Sequence, residues 1–435
     1  MEIDGITKSD ILKLAKKSGF MKRKPKKIDP IEYLTIVCIM SVAGSPSFNN
    51  IAAKYSSSYG LPASKQAFSK RTKKECVEFF QSVLALIIKS KICETVANGT
   101  RLLERFKRVL VQDSTIIRLP LRLFEIFSGV KNSKASVCNA RIQGVFDLVS
   151  GKFVKFSIDT YSINDLVAAP QLELCKDDLV LRDRGYFIMD EVQRHIDEKA
   201  HCIYRYKTGT TLINSSTGKN IEILKLLKKR KRLDMEVCLN NGSLTKVRIV
   251  AVPVNEEVAS IRRAKAKKDA HGHNPSKDVL DLMGWTIFIT TIPKEVASFQ
   301  QIHKMYSLRW RIEIIFKAWK SHAGFAKCHE VSESQLRTLL IARLIMIVIY
   351  VHCVYSPCFN IIRQEYKRDL SLLKLFSFLT QNLNVLIIII AFALKLQNNS
   401  SDIEHAKINL IKYCSYDFRS RTNFIQQLMD DVELS

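Results

Sequence analysis

The sequence predicts a mixed α/β fold with helical ends, and three observations carry that expectation. Short apolar, β-branched stretches follow one another between residues 108 and 187 in the order strand, hairpin, helix, strand. A second buried-strand pattern, GWTIFITTIP (284–293), returns after a long polar and basic interval. Outside these stretches, apolar residues recur at helix spacing.

The first 107 residues read as helical, with IEYLTIVCIMSVAG (31–44), SFNNIAAKYSS (47–57) and KKECVEFFQSVLALIIKS (73–90) as the clearest segments. Ser47 and Ser64 stand where N-caps belong. RVLVQDSTIIRL (108–119) then has strand texture, and VCNARIQGVFDLVSGKFVKFSIDT (137–160) reads as two strands joined at Ser150-Gly151. NDLVAAPQLEL (164–174) is expected to be helical, and DDLVLRDRGYF (177–187) to be a buried strand ending near Gly185. Residues 208–282 turn polar, strand-like in places and then basic, as an insertion into the core would. The core resumes over 283–355, and a helical tail follows over 356–435.

Composition narrows the partner. Lys and Arg number 68 against 42 Asp and Glu, a net charge of +26, and the cations run together at 16–27, 225–232 and 262–268. A polyanion is the simplest complement, and nucleic acid is the commonest one; an anionic membrane surface is the rival. Eleven cysteines include no CxxC pair, so the expectation is reduced thiols in a cytoplasmic protein. The start has early acids and no long apolar core, unlike a secretory signal. LIMIVIYVHCVY (344–355) and VLIIIIAFAL (385–394) fall short of the about 20 apolar residues that span a bilayer, so they are read as buried helices and no membrane partner is expected. His271 and His273 lack a matching ligand cluster and read as solvated.

Three acids stand out by position: Asp113 within or at the end of the first strand, Asp183 at the end of another, and Glu313 in YSLRWRIEIIFKAWK (306–320). A carboxylate in an apolar strand is costly unless compensated, and a hard cation such as Mg²⁺ compensates it well. Capping or turn roles are the alternative for each acid, and Asp147, Asp159 and Asp165 compete for the same assignment. Taking 306–320 as one helix at about 100° per residue, Arg309, Glu313 and Lys320 share a face with Tyr306, while Leu308, Ile312, Ile315 and Trp319 oppose it.

These motifs resemble those of the DDE transposases of the insertion sequence 4 family. Its signature is Tyr, two residues, Arg, three, Glu, six, Lys, and Tyr306, Arg309, Glu313 and Lys320 match every gap. VLVQDSTIIRLP and LVLRDRGYF resemble the family's two Asp motifs, and the likeness runs from about 108 to 325. The resemblance implies an RNase H-like core (108–207 and 283–355) interrupted by a β-rich insertion, a DNA-binding N-terminal region and a C-terminal region suited to dimerisation. It implies two Mg²⁺ ions, with Mn²⁺ as substitute, held by Asp113, Asp183 and Glu313. Tyr306, Arg309 and Lys320 would grip DNA phosphates, and Trp285 would stack on an extruded base. The partners implied are transposon terminal inverted repeats, target DNA and a second copy of the chain. The activity implied is metal-dependent cutting through a hairpin, followed by strand transfer. A metal-dependent nuclease and a catalytically inactive DNA-binding relic are the alternatives.

Overall fold

The computed structural model describes residues 6–416 except 24–27, 43, 45, 90–102, 130–136, 170, 271–273, 323, 325–330, 383–384, 386–387 and 389–399. His271, His273 and most of the 385–394 segment therefore lie outside the described residues. The chain forms two compact units, Met1–Asn98 with Ser114–Pro170 and Arg311–Ser420, and Gly99–Asp113 with Gln171–Trp310 and Arg421–Ser435.

In the first unit, α1 (Lys8–Lys17), α2 (Pro30–Val42), α3 (Phe48–Tyr59), α4 (Lys65–Arg71) and α5 (Lys74–Lys89) follow the helical reading of the N-terminal region. Ser47 accepts from the Asn50 amide and Ser64 from the Ala67 amide, so both serines cap helices where the sequence placed them. Strand β1 (Arg108–Arg118) crosses from the second unit into the first. Its end lies beside the hairpin of β2 (Asn139–Asp147) and β3 (Lys152–Thr160), in the order β3-β2-β1. The hairpin turns at Gly151, whose φ of 64° suits glycine. Asp147 serves this turn by accepting from the Val149 and Ser150 amides and the Ser150 hydroxyl. The expected helix at 164–174 shrinks to one turn, α6 (Asp165–Ala168). Ala169 is extended (ψ 122°), as the residue before Pro170 prefers.

The second unit orders its strands β1-β4-β5-β9-β8-β7-β6. β4 (Asp178–Arg182) and β5 (His201–Arg205) run parallel to β1, with α7 (Met189–Asp197) crossing between them. After β6 (Leu212–Ile213) and α8 (Ile223–Arg230), the polar interval supplies β7 (Leu233–Leu239) and β8 (Lys246–Pro253), then the basic helices α9 (Glu256–Asp269) and α10 (Lys277–Leu282). β9 (Trp285–Thr290) pairs antiparallel to both β5 and β8. The returning strand thus joins the meander directly to the parallel strands.

Beyond β9, α11 (Phe299–Ser307) opens with a reciprocal cap between Ser298 and Gln301. The chain enters the first unit again within α12 (Trp310–His322). There Trp319 is fully buried among Phe153, Phe156 and Phe316. Gly144 on β2 permits that contact, because a Cβ there would sit 3.3 Å from the rings of Phe156 and Phe316. The remaining helices are α13 (Glu333–Ile349), α14 (Ser356–Tyr366), α15 (Leu372–Gln381) and α16 (Ser400–Cys414). By length and composition the segment Glu333–His352 could cross a membrane, yet 83% of its apolar window is buried inside the protein. Within 344–355, Leu344, Ile345, Ile347, Val348, Ile349, Tyr350, Val351 and Val354 are buried, as the sequence suggested.

Candidate active site

Asp113 does not end its strand. It lies inside it, because β1 runs unbroken to Arg118. β1 and β4 pair in parallel register as far as Gln112 opposite Arg182, so Asp113 and Asp183 are the next residues of neighbouring strands. Side chains alternate across a sheet. Arg182 is buried on one side, where its guanidinium meets Glu191 of α7 at 2.9 Å. Asp183 falls on the other side and is half-buried. It begins the short 3₁₀ turn Arg184–Tyr186, but its carboxylate makes no capping hydrogen bond. The capping alternative therefore fails for Asp183.

The signature stretch is not one helix. α11 stops at Ser307, and the amides of Leu308 and Arg309 bond back to the carbonyls of Met305 and Tyr306, closing a tight turn before α12. The single wheel put Tyr306 and Arg309 on a solvated stripe; both are buried, at 6% and 7% exposure. The opposed apolar residues Leu308, Ile312, Ile315 and Trp319 are buried as expected. Tyr306 lies on Phe288 of β9, centroids 4.9 Å apart, and its hydroxyl is buried. Burial pushes that phenol up from its ordinary pKa, with Asp183 adding to the rise and Arg309 and Arg205 opposing it. Arg309 donates to Asp113 at 3.0 Å, and their side chains are only 8% and 18% exposed.

Asp113, Asp183, Tyr306 and Arg309 thus come together within the second unit. Glu313, in the first turn of α12, and Lys320, exposed on the same helix, belong to the first unit. Among the described residues no three His, Cys, Asp or Glu side chains gather into a group that could hold a metal ion. The donor chemistry of the aspartate pair nevertheless suits a hard cation. Two carboxylates on adjacent strands concentrate negative charge, and the Arg309 guanidinium meets it at Asp113. Trp285 opens β9 opposite Pro253 and is half-buried. By alternation its ring shares the face of Ile287, while Thr286 and Phe288 share the face of Tyr306.

Residues 104–349, more than half of the chain, match the protein family described as Transposase DDE domain. The chain belongs to that family. It is 27% identical to the transposase of insertion sequence element IS231B from Bacillus thuringiensis subsp. berliner, over 98% of this chain and 92% of the relative. It is 28% identical to the IS231C transposase of the same organism, over 88% and 84%. The IS1151 transposase of Clostridium perfringens is also 28% identical, over 86% and 83%. A cryo-EM structure of a piggyBac transposase synaptic complex with hairpin DNA matches with a TM-score of 0.44 and 9% identity, over 96% of this chain and 84% of that one. The family is that of DNA-cutting, strand-transferring enzymes, and the +26 charge of this DDE transposase suits such a substrate.

The wheel on 306–320 treated Tyr306 and Arg309 as solvated and missed their burial. Arg205 and His303, which lie near Tyr306 in the fold, carry no local sequence signal. Arg262 was visible only as part of a basic run.

Proposed function

We propose that this DDE transposase works in the cut-and-paste manner of the insertion sequence 4 family, with Asp113, Asp183 and Glu313 holding two Mg²⁺ ions that Mn²⁺ can replace. The observation that supports this most is the Asp113–Arg309 ion pair, which joins the first-aspartate motif to the signature stretch across 196 residues of sequence. Bound by the carboxylates, the ions supply Lewis acidity for phosphodiester chemistry. Arg309 forks onto phosphate oxygens, Lys320 adds a point charge, and the Tyr306 hydroxyl donates one hydrogen bond. Trp285, the first residue of β9, offers a stacking surface to a base leaving the duplex.

In this reading, water attacks the phosphorus at a transposon end, breaks the bond to the 3′ oxygen and frees a 3′-hydroxyl. That hydroxyl attacks the opposite strand, losing its proton as the flanking strand departs, which leaves a hairpin. Water reopens the hairpin, and the 3′-hydroxyl joins target DNA by the same exchange. Two ends cut together call for a dimer, with residues 1–107 holding DNA, 208–282 as a β-rich insertion in an RNase H-like core, and 356–435 contributing to pairing. The setting is the bacterial cytoplasm, on the nucleoid.

The test uses the element's own terminal repeats, found by sequencing the DNA flanking the gene. Glu313→Gln should lose nicking and hairpin formation while binding the end duplex almost as well as the wild type. Arg309→Ala and Lys320→Ala should weaken the hold on the end, with some first-strand nicking surviving. Nicking by Glu313→Gln at the wild-type rate would overturn the assignment.

A further inference from the structure

The second unit pairs most of its inward-facing arginines with carboxylates. Arg108 meets Asp178, Arg182 meets Glu191, and Arg248 meets Asp234. One group breaks the pattern. Arg205 ends β5 directly opposite Phe288 of β9, and opposite residues of an antiparallel pair share a face. Thr286, two residues before Phe288, lies on that same face. Arg262 reaches there from α9, donating to the Thr286 hydroxyl at 3.2 Å and to the Trp285 carbonyl at 3.1 Å. The His303 ring stands edge-on to Phe288 at 5.7 Å, beside Tyr306 on the same ring.

Two guanidiniums and an imidazole therefore crowd one face of β5 and β9. Among the described residues, Arg205 has no side-chain hydrogen bond or ion pair, and Arg262 reaches only neutral oxygens. The crowding is registered at Arg262 and His303. Burial first, and then Arg205, hold Arg262 below its usual range. Burial, Arg205 and Arg262 do the same to His303. Among the described residues no carboxylate offsets either effect. Such a gathering costs free energy in the protein alone and is relieved by an anion.

We propose that Arg205, Arg262 and His303 form a phosphate-binding track for the DNA backbone. It continues the row of Tyr306 and Arg309 away from Asp113, along the face of β9. A guanidinium forks onto phosphate oxygens without reading bases, so the track holds DNA of any sequence. It would carry the strand beside the cleavage point toward the meander of β7, β8 and β9. The proposal extends the DNA-binding face of the function proposed above, but it depends on neither the ions nor cleavage.

The test is anisotropy of a labelled duplex of arbitrary sequence with the full chain, in chelator, across a range of KCl concentrations. Arg205→Gln and Arg262→Gln should each weaken binding several-fold and reduce the log–log salt slope by about 0.9, the value for one phosphate no longer neutralised. The double variant should show about twice that reduction. Lys219→Gln, an exposed cation on the turn after β6, should leave the slope unchanged. Urea midpoints for Arg205→Gln should hold or rise, because a repelling charge has gone. Slopes equal to that of Lys219→Gln would overturn the track, as would a fall in stability large enough to account for the weaker binding. Chelator keeps the carboxylates out of the measurement, so failure of the metal-site assignment would leave this result untouched.

Discussion

Replacing Arg248 with methionine should destabilise the second unit by about 3 kcal/mol and loosen the segment that leads into α11. The Arg248 side chain is 3% exposed, and its guanidinium forks onto Asp234, Nε to Oδ1 at 2.7 Å and Nη2 to Oδ2 at 2.9 Å. Its Nη1 donates to the carbonyls of Ala297 (2.7 Å), Pro293 (3.2 Å) and Ile292 (3.3 Å). One side chain therefore ties β8 to β7 and to the loop before Ser298, the cap of the helix that carries Tyr306. Methionine replaces the stem and strands Asp234. Breaking a buried pair costs about 3–5 kcal/mol. The lower figure applies because the Asp234 side chain is 27% exposed and water can reach it. Asp234→Leu added to Arg248→Met should restore most of the loss, since an apolar pair of similar volume often substitutes without penalty.

Acid gives a second arm to the same experiment. Burial would raise the Asp234 pKa, but the Arg248 fork outweighs it, and the folded value lies below the ordinary one. A depressed carboxylate contributes stability above its unfolded pKa of about 3.9 and loses that contribution as pH falls through the folded value. The gap between wild type and Arg248→Met should therefore be full near neutrality and close in stronger acid. Urea denaturation followed by tryptophan fluorescence measures both arms. A neutral-pH loss under about 1 kcal/mol, the net value of one ordinary hydrogen bond, would refute the reasoning, as would a double variant no more stable than the single.

Two other outcomes concern chemistry. Cleavage of end duplexes should stop in excess chelator and return with Mg²⁺ or Mn²⁺, while Ca²⁺ supports binding without cutting; undiminished cleavage in chelator would sink the metal assignment. Trp285→Ala should still nick but accumulate few hairpins on denaturing gels, for want of a stacking surface worth about 1–3 kcal/mol per base. Hairpins at the wild-type level would instead leave the Trp285 ring no part in hairpin formation.

Local chemistry was legible in the sequence wherever it sufficed. Ser47 and Ser64 cap helices because a hydroxyl reaches only to an amide three residues on, and Gly151 turns the hairpin because the turn needs its positive φ. The spacing of Tyr306, Arg309, Glu313 and Lys320, and the strand texture around Asp113 and Asp183, were likewise written in short windows. The 164–174 segment failed on a rule equally local, the restriction that Pro170 imposes on Ala169. Tertiary structure alone decided the rest. A helical wheel fixes angles within one helix and knows nothing of what covers it. It could not see that a turn at Leu308 and Arg309 carries Tyr306 onto Phe288 and Arg309 onto Asp113. Nor could any window foresee Arg205, Arg262 and His303 on one face. Their meeting depends on β9 inserting between β5 and β8, a choice of strand order made by burial across the whole sheet.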